Sequence, residues 1–78
     1  MDPVEINAGA WYLRGVPAET CYRWDVCEPI TGDVAATVTL DPQTATMSSA
    51  GDDAEAIEVA ERAVRGFARQ ALGITVAD

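Results

Sequence analysis

The sequence predicts an α+β domain in which an antiparallel meander of three or four strands packs against one C-terminal α-helix. Three observations predict it. Residues 21–28 and 34–40 alternate apolar and polar side chains, a proline- and glycine-bearing turn joins them, and from Asp52 the apolar period becomes helical. A chain of 78 residues hides only about 60% of its unfolded surface, so residues 1–78 are expected to form a single small domain with one two-layer core. With 49% hydrophobic and 23% charged residues the chain has the composition of a folded domain, which argues against wholesale disorder.

Residues 10–16 (AWYLRGV) are rich in aromatic and branched side chains and read as the first strand. Residues 21–28 (CYRWDVCE) form the second, with Tyr22, Trp24 and Val26 facing inward and Cys21, Arg23, Asp25 and Cys27 on the other side. Glu28, Pro29, Gly32 and Asp33 make a hairpin turn into the third strand. There Val34, Ala36, Val38 and Leu40 share one face, and slipping by one residue would bury the threonines instead. After a turn at Asp41-Pro42, residues 45–49 read as a shorter, weaker strand.

The helix opens on Asp52 with Glu55 three residues on, a capping-box pattern. Its apolar stripe is Ile57, Ala60, Val64, Phe67, Ala68 and Ala71, and Glu58–Arg62 and Glu61–Arg65 are paired on the opposite face. Gly66 is mid-helix, either for close approach to the sheet or through simple tolerance; Gly73 suits the position just past the helix. Residues 74–76 have room for a short final strand.

Charge and missing residue types narrow the function. Thirteen acids face five arginines, for a net charge of −8, and neither lysine nor histidine occurs. Such a field repels nucleic acid and anionic membranes; it either serves only to keep the chain soluble or suits a protein partner with a basic surface. Without histidine, Ser-His-Asp and Cys-His catalysis is impossible within the chain; without lysine, so are Schiff bases and a P-loop lysine. No enzyme activity, catalytic residue, metal ligand or cofactor is expected. Cys21 and Cys27, about 20 Å apart along an extended strand, are too distant to bridge and are expected to be reduced, buried or half-buried thiols. The N-terminus has no signal-peptide pattern and no apolar run reaches the roughly 18 residues of a membrane span, so a cytoplasmic location is expected.

The acids Asp52, Asp53 and Glu55 lack the order of a calcium loop and are better explained as helix capping. Residues 48–51 (SSAG) form the one loop suited to a phosphate, but two aspartates follow at once. Trp11, Tyr12 and Arg14 on the first strand are the candidate partner-binding residues. Trp11 and Tyr12 point to opposite sides of that strand, so one of the two faces out. Exposed strand edges in so small a sheet also suit pairing into a homodimer.

Residues 6–14 (INAGAWYLR), 22–33 (YRWDVCEPITGD) and 62–74 (RAVRGFARQALGI) together resemble segments of GNAT-type N-acetyltransferases. The resemblance implies an opening strand, an early hairpin, and the helix behind the acetyl-CoA site. Where that family has an arginine- and glycine-rich pyrophosphate loop this chain has Gly51-Asp52-Asp53, and no helix pair joins the first two strands. It therefore implies a shortened relative that has lost acetyl transfer, with no catalytic or CoA-binding residue carried over. Residues 51–56 (GDDAEA) also resemble the helix start of HicB-type antitoxins. Three functions are consistent with these readings: an inhibitor- or antitoxin-like module that binds and regulates a protein; a degenerate domain that holds acyl-CoA or a similar ligand; and a nucleic-acid mimic.

Overall fold

The computed structural model describes residues 3–76. Five antiparallel strands run in chain order, β1 (Ile6–Ala8), β2 (Trp11–Val16), β3 (Tyr22–Cys27), β4 (Val34–Asp41) and β5 (Thr46–Gly51), and one helix, α1 (Ala54–Phe67), covers one face. The α+β meander with a C-terminal helix is as the sequence predicts, with one strand more. The addition is β1, which pairs with β2 through Gly9-Ala10 (Ala8 opposite Trp11). Gly9 has a φ of 62°, and glycine at the first position of a two-residue loop matches the twist of the flanking strands. A three-residue strand is too short to show an alternation, so the sequence reading began the first strand at residue 10.

The covered face holds Leu13, Trp24, Val26, Ala36, Val38 and Leu40, all buried. They meet Ala56, Ala60, Val64 and Ala68, a line spaced four residues apart whose small side chains let the helix lie close to the sheet. This line is rotated from the expected stripe: Ala56 is buried while Ala71 is exposed. Gly66 has nothing within 4 Å of where a Cβ would stand, so it is tolerance and not close packing that admits it. Tyr22 stacks on Trp24 at 6.0 Å, and Phe67 meets both rings edge-on at 5.4 and 5.7 Å. Aromatics are inward, as expected.

The ends of the helix differ from the sequence reading. Asp53, not Asp52, is the N-cap, its carboxylate accepting from the Ala56 amide at 3.1 Å. Glu58 pairs with Arg62 at 3.3 Å. Glu61 accepts from the Ser49 hydroxyl of the sheet at 2.5 Å. The last turn, Ala68–Leu72, is a π-turn closed by Gly73 in the left-handed conformation (φ 70°). Residues 74–76 form no strand; Val76 closes the core as extended chain.

Candidate functional site

Strand register decides which side chains meet. Ala8 stands opposite Trp11, Tyr12 opposite Cys27, Cys27 opposite Val34, and Ala36 opposite Gly51. One end of the sheet therefore collects the β1–β2 turn, the 28–33 turn, the end of β5 and the start of α1. Five carboxylates sit on these pieces: Glu28, Asp33, Asp52, Asp53 and Glu55. No base occurs anywhere from Trp24 to Glu61. Acids predominate at this end, with Arg62 of α1 lining the groove beside the β1–β2 turn.

It also carries the two exposed large apolar side chains among the described residues, Ile30 at 91% and Val34 at 50% exposure. Ile30 is held out by a tightly bonded turn. Glu28 donates its amide to the Asp33 carbonyl (3.0 Å), and its carbonyl accepts from Gly32 (2.7 Å). The Glu28 carboxylate accepts from the Thr31 hydroxyl (2.9 Å) and the Ile30 amide (3.2 Å). These donors, Thr31 first, hold the Glu28 carboxyl below its ordinary range. The turn is thus fixed by bonds to a charged group, so Ile30 does not fold back onto the protein.

Val34 was expected inward with Ala36, and here the structure corrects the sequence. The β3–β4 register shifts so that Val26 faces Ala36 while Cys27 faces Val34, leaving Ala35 as an extra residue. A bulge of this kind re-aims the side chains beyond it. Val34 now borders a groove of about 310 Å³ together with Ala36, Ala50 and Asp52.

Trp11, Tyr12 and Arg14 do not form one surface. Trp11 lies on the helix side of β2, half-buried, in a groove of about 410 Å³ shared with Ala8, Ala10, Val59, Ala63 and Arg62. Its ring nitrogen is buried with no hydrogen-bond partner among the described residues. Tyr12 and Arg14 point to the opposite, helix-free face. The Tyr12 hydroxyl donates to Glu5, and Arg14 is ion-paired at 2.8 Å with Asp25, its cross-strand neighbour. The hydrogen bond to Asp25, with Cys27 close by, raises the Arg14 guanidinium above its ordinary pKa. An exposed pair of this type is screened by water and adds little to stability. Both cysteines are free, Cys21 half-buried and Cys27 buried, and among the described residues no group of His, Cys, Asp and Glu has the arrangement of a metal site.

Sequence reasoning missed Ile30 and Val34. An apolar residue at the apex of a Pro-Ile-Thr-Gly turn was the available signal for the first; nothing in the alternation foretold the bulge behind the second. No protein-family model matches the chain, and no curated protein or solved structure is significantly similar to it. Among the described residues no helix is long and apolar enough to cross a membrane.

Proposed function

We propose that this protein is a non-catalytic binding module that engages and regulates a basic protein partner, as inhibitors and antitoxins do, through the acidic end of its sheet. One observation carries the reading: Ile30 and Val34 stand exposed at the end of the sheet where carboxylates predominate, Ile30 on a turn already fixed by its own hydrogen bonds. An apolar anchor with a charged rim is how protein interfaces are built, and a rigid loop loses little entropy on binding. The partner that fits has an apolar socket bordered by lysine or arginine.

Affinity capture from the native host tests this, with wild type compared against Ile30→Asp and Arg14→Ala. The expected result is a stoichiometric basic protein whose affinity falls at least about tenfold with Ile30→Asp and is unchanged with Arg14→Ala. Ile30→Asp adds negative charge, so attraction through charge alone would be kept or strengthened. Equal capture by wild type and Ile30→Asp excludes this end as the interface.

A second reading, a degenerate acyltransferase-like domain that holds acyl-CoA or a similar small ligand, is favoured by the Trp11 groove. Its lining is mostly apolar, which suits an acyl chain, and the Trp11 N–H without an acceptor suits a carbonyl oxygen. Titration with acetyl-CoA is then expected to release heat and shift tryptophan fluorescence, and Trp11→Phe to abolish the fluorescence response. No heat at millimolar ligand removes this reading.

A further inference from the structure

The bulge that turns Val34 outward also shapes the groove beside it. Ala35 stands opposite no residue of β3 or β5: Cys27 faces Val34, Val26 faces Ala36, and the β4–β5 ladder ends at the Ala36–Gly51 pair. Position 51 has no room for a side chain, since a Cβ there would stand 2.7 Å from the Ala35 carbonyl oxygen and 2.8 Å from the Ala36 Cα. Glycine, with φ at 143°, keeps side-chain atoms off that carbonyl, and the chain then runs straight into Asp52 and Asp53. The groove of about 310 Å³ therefore has two kinds of lining. Val34, Ala35, Ala36 and Ala50 give it aliphatic walls, and Asp52 gives it a carboxylate. The Asp53 carboxylate is taken by the Ala56 amide, whereas among the described residues nothing donates to that of Asp52.

We infer that this groove receives an arginine side chain of the basic partner, an inference that rests on the basic-partner reading and gives it a second contact beside Ile30. The lining matches the two halves of that residue. Its methylene stem is apolar and packs along valine and alanine. Its guanidinium carries a permanent charge and a rigid fork of donors that fits a carboxylate, which Asp52 supplies, with the Ala35 carbonyl as a further acceptor. Other side chains fit less well. A purely aliphatic one would bury the Asp52 carboxylate without a partner, and an acidic one would meet like charge. Lysine offers a more strongly hydrated point charge without the planar fork. Ile30 projects from this protein while the groove takes a side chain in, so the two contacts together fix how the partner is oriented.

The test is a titration of the full chain with N-acetyl-arginine amide, followed through its methyl resonances by NMR. Saturating shifts are expected on Val34, Ala36 and Ala50. Binding is expected to be at least about fivefold weaker with N-acetyl-citrulline amide, which keeps the shape and loses the charge. Asp52→Asn, at an exposed position outside the helix cap and checked for folding by circular dichroism, is expected to weaken the arginine probe by a similar factor. Ile30→Asp is expected to bind the probe at least as tightly as wild type does. Shifts spread over methyls remote from the groove, equal binding of the citrulline probe, or unchanged binding by Asp52→Asn overturns the inference. Capture of the basic partner separates it from the reading beneath it. Loss of capture with Ile30→Asp but not with Asp52→Asn keeps that reading and overturns the arginine contact.

Discussion

Trp24→Ala is expected to remove most of the stability of the fold. Trp24 is 1% exposed, lies between Gly15 and Val38 on the central strand, and touches both Tyr22 and Phe67. It is the largest fully buried side chain and the one that joins sheet to helix through the aromatic group. Its ring nitrogen donates to the Val4 carbonyl at 2.7 Å, which ties the N-terminal segment to the sheet. Truncating a buried tryptophan costs about 3–5 kcal/mol, the transfer of the ring plus the cavity it leaves. Domains of this size are stable by about 4–12 kcal/mol in all, and small ones have little core in reserve. Urea denaturation followed by circular dichroism is expected to show a midpoint near zero denaturant. Trp24→Phe separates the two contributions, because it keeps an aromatic ring and loses the N–H. It is expected to cost about 1–2 kcal/mol, the hydrogen bond and a modest volume change. A midpoint for Trp24→Ala close to wild type would mean that the aromatic group is not what holds α1 to the sheet.

The layered plan was legible because it rests on long periodic signals. Alternation over Tyr22 to Val26 and Ala36 to Leu40 gave the inward faces correctly, and the change of period after Asp52 gave the helix. What escaped depends on single residues. The Val26/Cys27 register shift is a local backbone event that leaves the sequence alternation intact, so Val34 read as core when it is half exposed. Glu61 read as a solvent-face side chain because i,i+4 spacing says which residues are adjacent on a helix, not which way the helix is turned; in the structure it accepts from the Ser49 hydroxyl of the sheet. The candidate site suffered most. Aromatic residues drew attention to Trp11 and Tyr12, which strand alternation puts on opposite faces, whereas the most exposed large apolar side chain among the described residues is an isoleucine at a turn apex. A side chain at a turn has no period to betray whether it folds back or projects. Only the bonds of Glu28 to Thr31 and Ile30 decide that.

Gly15→Val is expected to unseat the N-terminal segment while leaving the acidic end intact. A Cβ on Gly15 would stand 2.5 Å from the Val4 nitrogen, 2.6 Å from its carbonyl oxygen and 2.9 Å from Cβ of Pro3. Two of those atoms are backbone, so no rotamer change relieves the contact and the segment itself must move. Val4 then leaves the core it packs against, and Trp24 loses its acceptor. The expected cost is about 1–3 kcal/mol, that of overpacking a tight contact. Gly15→Ala already introduces the clash, and it allows a sharper test by double-mutant cycle. If alanine at position 15 breaks the Trp24–Val4 bond, Trp24→Phe has no bond left to remove. The double variant is then less destabilised than the sum of the single ones, by about 1 kcal/mol, the worth of that bond. Strict additivity would show that Val4 docks on the sheet without help from the indole. Gly15 pairs with Trp24, at the far end of the sheet from Ile30. Folded Gly15→Ala protein is therefore expected to capture a basic partner as wild type does, whereas Ile30→Asp loses the partner with its melting curve unchanged. The two variants together separate the stability of this fold from the surface proposed to act.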